Sequence, residues 1–87
     1  MIARKITYRG SFNDQSVGMF FDISRKNEIT GIVKRVSENE IVLNLEGDPS
    51  QIKLIQHQIE HKLKPHIQSK NIETIPYHYY KGLDFEY

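Results

Sequence analysis

Two stretches of this chain hold residues whose types and spacing could do chemistry. The first, Gln15-Ser16-Val17-Gly18, stands where a turn enters a helix. Uncapped backbone N–H groups at a helix N-terminus carry partial positive charge and form a ready anion site. Gly18 lets a ligand approach the backbone closely, while Ser16 either caps the helix or donates to a bound anion. A plainly capped helix is the alternative. The second stretch, His57-Gln58-Ile59-Glu60-His61, has the H-x-x-E-H form of a zinc-binding helix. Both histidines point away from the apolar line through Ile55 and Ile59, and a catalytic zinc needs a third ligand and a shaped cavity. They read as surface histidines, and no metal or cofactor is expected.

The elements that must position these residues follow from periodicity. Ile6 and Tyr8 alternate with Lys5, Thr7 and Arg9, which predicts a strand over Ile2 to Arg9 ended by Gly10. Asn13, Asp14 and Ser16 favour turns and caps, and Val17, Phe20, Phe21, Ile23 and Ser24 then recur at helical spacing up to Asn27. Thr30 to Val36 and Glu40 to Glu46 read as an antiparallel hairpin turned by Ser37, Glu38 and Asn39. Asp48 caps a second helix with Pro49 at its first position, Ile52, Ile55, Ile59 and Leu63 on one face, and Pro65 as its stop. Ile72 to Ile75 predicts a short strand, and the alternation Leu83, Phe85, Tyr87 predicts another. The order is βαββαβ with a short fifth strand. It suits an α+β, ferredoxin-like sandwich with an antiparallel sheet and both helices on one face.

Composition bounds what such a domain can be. Eighty-seven residues leave room for one domain over 1–87, and the absence of cysteine excludes disulfide scaffolds, thiolate metal sites and cysteine nucleophiles. No apolar stretch nears the roughly 20 residues of a membrane span. Arg4, Lys5 and Arg9 stand where a signal peptide would be apolar, so the mature chain is expected to start at Met1 and to be cytoplasmic. The net charge of +1 hides a bias, because residues 1–35 carry seven basic and three acidic side chains. That front third is the anion-friendly part.

Gln15-Ser16-Val17-Gly18-Met19-Phe20 resembles the Gln-Gly-Val-Gly-Phe-Arg signature that opens the first helix of the acylphosphatase family. Gly31-Ile32-Val33-Lys34-Arg35, followed by Ile41 to Gly47, is similar to the family's Gly-Trp-Val-Arg-Asn segment and the strand after it, and Phe85-Glu86-Tyr87 looks like its last strand. The resemblance implies the same sandwich and hydrolysis of carboxyl-phosphate anhydrides without metal or cofactor. In that chemistry loop N–H groups and the motif Arg hold the phosphoryl group, and the Asn positions the attacking water. Here Phe20 falls at the Arg position and Arg35 at the Asn position. A guanidinium donates hydrogen bonds but accepts none from water, so the resemblance implies impaired or absent hydrolysis with an anion still held by Gln15, Ser16, Val17, Gly18 and Arg35. Arg35 either supplies the charge lost at Phe20 or points into solvent. The loop from Gly10 to Gln15 runs about two residues longer than the pattern, and the stretch from Phe20 to Gly31 about three shorter.

The alternatives are an active acylphosphatase with substituted catalytic residues and a protein-interaction module. Five of nine aromatics, Tyr77, Tyr79, Tyr80, Phe85 and Tyr87, crowd the C-terminus, where they pack on the core or leave a strand edge open to a partner or a second copy. The expected partners are a small phosphate-containing ligand or a protein, with the chain a monomer or weak homodimer. Lys5, Arg9 and Lys34 could share the outward sheet face, but no aromatic platform accompanies them on Ile41 to Leu45, which disfavours nucleic acid.

Overall fold

Strand alternation sets the frame of the molecule. In the computed structural model, which describes residues 1–86, β1 (Ile2–Gly10) pairs antiparallel with β3 (Glu40–Gly47), so that Tyr8 faces Ile41 and Ile6 faces Leu43. These side chains, with Val33 of β2 (Thr30–Ser37), form the floor of the core. Helix α1 (Asp14–Lys26) lays Val17, Phe20 and Ile23 onto it, and α2 (Pro49–Lys62) lays down Ile52, Ile55 and Ile59. Each helix buries the stripe that its sequence spacing marked, and both lie on one side of the sheet. A 3-10 turn at Lys64–His66 carries the chain past Pro65 into β4 (Ile67–Thr74).

The sheet order is β4-β1-β3-β2-β5, with β5 (Leu83–Glu86) running parallel to β2 and Phe85 beside Val33. The sheet is therefore mixed: β4, β1, β3 and β2 pair antiparallel with one another, and β5 joins β2 in parallel at the far edge. Reaching that edge from β4 takes a crossover through residues 75–82. One buried side chain anchors it. The Glu46 carboxylate accepts the backbone N–H groups of His78 and Tyr79 on Oε2, the latter at 3.1 Å, and that of Tyr80 on Oε1 at 2.8 Å. Gly31, at φ +147°, then donates its N–H to the Gly82 carbonyl at 2.9 Å, and a Cβ there would lie 2.0 Å from the Asn44 carbonyl oxygen. Only glycine fits that close approach.

Several boundaries differ from the sequence reading. Helix α1 starts at Asp14, earlier than Val17, because Asn13 rather than a later residue caps it. β4 runs from Ile67 to Thr74, where the short strand Ile72 to Ile75 was expected. Its polar run, Gln68 to Asn71, carries no strand alternation because β4 is an edge whose side chains are almost all exposed. Tyr87 lies outside the described residues. On the sheet face without helices, Lys5, Arg9 and Lys34 do lie together, but each has an acidic neighbour in register: Glu73, Glu40 and Glu86. The Arg9–Glu40 pair closes at 3.0 Å. That face is charge-balanced rather than basic.

Candidate anion site at the β1–α1 corner

The corner is built from its backbone outward. Gly10 ends β1 so close to the turn after α2 that a Cβ would lie 1.9 Å from the His66 carbonyl oxygen. Its N–H donates to the Asn39 carbonyl, that of Ser11 to His66 and that of Phe12 to Glu38, at 2.9–3.0 Å. Phe12 turns into the core, its ring edge-on to Phe20 at 5.4 Å between centroids. Asn13 then caps α1 in a reciprocal box: its Oδ1 accepts the Ser16 N–H, and Ser16 Oγ accepts the Asn13 N–H, both at 2.9 Å. Such a box satisfies two donors that the helix start would otherwise leave open.

Arg35 completes the corner from β2. It stands opposite Ile41 on the helix side of the sheet, and its guanidinium reaches across to the bend. Nη1 lies 2.5 Å from Asp14 Oδ1, and Nη2 donates to the Phe12 carbonyl at 3.1 Å. The Arg35 side chain is 13% exposed and that of Asp14 84%, so the cation is sheltered and the carboxylate is open to solvent. An open depression of about 470 Å³ lies over them, with Asn13, Asn39 and His66 on its rim. A guanidinium fork suits a carboxylate or a phosphate equally. The carboxylate it holds is the protein's own.

The residues singled out in the sequence fall into place unequally. Arg35 is at the corner, folded against the bend rather than pointing into solvent. Gln15 is exposed in the first turn. Ser16 is buried and spends its N–H on the cap, and Val17, also buried, donates its N–H to the Asn13 carbonyl at 3.0 Å. Gly18 is exposed within the helix, beyond the first four N–H groups, so its amide belongs to the helical ladder. The helix start is thus capped, not open. Among the described residues here, the N–H groups of Asp14 and Gln15 keep their freedom to meet an anion. Phe20 is fully buried against Tyr8 and Phe12, so the position matched to the motif Arg lies in the core behind the corner and does not line its depression.

Sequence reading missed Asp14 as the partner of Arg35, and Asn39, whose Nδ2 donates to the Gly10 carbonyl at 2.9 Å. Both are ordinary turn and cap residue types, so only their meeting in space marks them. A second polar cluster lies between α2 and β4. The Tyr8 hydroxyl donates to Glu60 Oε2 at 2.9 Å and Lys70 Nζ to Glu60 Oε1 at 2.6 Å. Burial, then the charge and hydrogen bond of Glu60, push the Tyr8 phenol far above its ordinary value. Burial also pushes Glu60 up, but the Lys70 and Tyr8 hydrogen bonds and the Lys70 charge outweigh it and hold the carboxyl below its usual range. Glu60 is thus committed to Lys70 and Tyr8, with Gln56 as a further hydrogen-bond partner, and no group of three His, Asp or Glu side chains among the described residues is placed to hold a metal ion.

No protein-family model matches the chain, and no curated protein matches its sequence. Solved structures do match its fold. The acylphosphatase from Bacillus subtilis superposes with a TM-score of 0.83 over the whole of both chains at 12% identity. That from Coxiella burnetii gives 0.81 over 97% of this chain and 90% of its own, at 16% identity. The chain has an acylphosphatase-like fold. Full-length HypF, solved in a phosphate- and nucleotide-bound form, matches 97% of this chain with 11% of its own length, with a TM-score of 0.78 and 24% identity. The acylphosphatase-like fold thus occurs both as a whole chain and as a small part of a longer one. No helix among the described residues is long and apolar enough to cross a membrane.

Proposed function

We propose that this chain is an acylphosphatase-like domain that binds an anion at the β1–α1 corner without hydrolysing acyl phosphates. The observation that carries the reading is the Arg35 guanidinium, held over the bend by the Phe12 carbonyl and already closed on a carboxylate. Arg35 occupies the position that the resemblance assigns to the water-positioning Asn. Its guanidinium offers donors only, so it binds an anion and orients no water as a proton acceptor. The motif Arg has no counterpart in either alignment of the signature. Sliding the match two residues toward the N-terminus closes the gap before it, cuts the one after it to about one residue and sets Asn13 to Gly18 against Gln-Gly-Val-Gly-Phe-Arg, so the Arg falls on Gly18 instead of the core residue Phe20. Neither residue carries charge, and that charge is commonly the largest contribution to phosphoryl-transfer catalysis.

Turnover of a simple acyl phosphate by the purified protein is the decisive assay, run beside an NMR titration with inorganic phosphate. The expected result is background hydrolysis together with shifts at the Arg35 Nε and the Asp14 and Gln15 amides. Asp14→Asn removes the internal competitor and raises phosphate affinity severalfold. Hydrolysis well above background overturns the loss of catalysis, and an unresponsive Arg35 in Asp14→Asn overturns the anion site.

A further inference from the structure

We infer that the free edge of β4 and the groove beside it take an extended acidic segment of another protein as a sixth strand. This rests on a different part of the molecule from the corner. β4 has one neighbour, β1, and every residue after Ile67 is exposed. The Ile75 N–H donates to the Ala3 carbonyl at 3.1 Å, which marks Ala3 and Ile75 as a hydrogen-bonded pair. Antiparallel alternation then turns the N–H and C=O groups of Lys70, Ile72 and Thr74 away from β1, toward the open edge. No proline interrupts Ile67 to Thr74, and the register shift lies only at its first residues, opposite Arg9 and Gly10. Of the usual protections of an edge, neither proline nor bulge falls in its second half, and the charges an incoming strand meets there are Lys70 and Glu73.

The charge beside this edge selects the occupant. On the helix side a groove of about 470 Å³ separates β4 from α2, lined by His57, Glu60, His61, Lys64 and Lys70. Glu60 is its only acid, and both its oxygens are taken by Tyr8 and Lys70. Lys64 and the two histidines are left to meet an incoming group. A strand added beside β4 directs alternate side chains into this groove, where acids meet Lys64, His57 and His61. Its intervening side chains join the other sheet face beside Glu73, where an acid is repelled. The fitting segment therefore alternates acidic with neutral or apolar residues. Ile72, on the groove side and 40% exposed, gives such a strand an apolar contact.

The test uses the labelled protein with a capped seven-residue peptide alternating Glu and Val, a Lys/Val counterpart and a short single-stranded DNA. The Glu/Val peptide is expected to slow amide exchange at Lys70, Ile72 and Thr74 and to shift the His57 and His61 rings. The pair His61→Glu with Lys64→Glu, which reverses the Lys64 charge and adds a second acid at an exposed position, is expected to weaken it about tenfold, equivalent to about 1.4 kcal/mol. Ile72→Pro removes an edge donor that β1 does not use and is expected to abolish the protection. If that variant fails to fold, the charge reversal still decides. The inference is overturned by equal binding of the Lys/Val peptide, by a footprint away from β4 and α2, by tighter DNA binding on the same amides, or by no response at millimolar peptide.

Discussion

Replacing Glu46 by Gln should loosen the whole C-terminal crossover. The carboxylate is buried and accepts three backbone N–H groups, two on one oxygen and one on the other. A glutamine carbonyl can keep the pair from His78 and Tyr79, but its NH₂ then faces the Tyr80 N–H, donor against donor. Hydrogen bonds to a charged acceptor contribute about 1.5–3 kcal/mol each, and an orphaned buried donor costs about 1–3 kcal/mol. One bond lost and two weakened give a destabilisation of about 2–4 kcal/mol. For a domain of this size that lowers Tm by about 10–25 °C. Thermal unfolding followed by circular dichroism measures the loss. Hydrogen exchange locates it, with the amides of residues 78–80 and of β5 opening before those of β1 and β3. A Tm within 2 °C of the parent, with unchanged exchange at residues 78–80, would refute the role assigned to Glu46.

Two further outcomes follow from the same contacts. Phe20→Arg places a charge in the packed core beside Tyr8 and Phe12 and should cost about 3–5 kcal/mol in a denaturant titration, whereas Gly18→Arg, with open space around its Cβ, should hold or raise stability. Equal tolerance of both would contradict the placement of these two residues. Because Glu60 titrates below its unfolded value in the folded chain, its contribution is full above about pH 4.3 and is lost as pH falls through the folded value. Glu60→Gln should therefore be less stable than the parent at pH 7, with the gap closing in acid unfolding curves below about pH 4. A gap that stays constant with pH would separate Glu60 from Lys70 and Tyr8.

Much of the fold was legible because it is written locally. The alternation of Ile6 and Tyr8, the stripes Val17–Phe20–Ile23 and Ile52–Ile55–Ile59, and the Asp48-Pro49 start each depend on residues within a turn or two. The length of β4 was not legible, since an exposed edge strand needs no apolar alternation and is defined by its ladder to β1. Nor was the parallel placement of β5, which depends on where the crossover lands.

The site divides the same way. Sequence marked Arg35 and the entry to α1 as the place to look, because residue type and helix-start chemistry are local properties. The tertiary structure decided what stands there: Asp14, 21 positions away, closes on the guanidinium, while Ser16 and Val17 spend their amides on the cap. It decided equally that Glu46, unremarkable in a strand, is the anchor of a loop more than 30 residues later. Hydrogen bonds and ion pairs between distant segments depend on the direction in which the packed elements aim their side chains, and no short-range pattern of residue types records that direction.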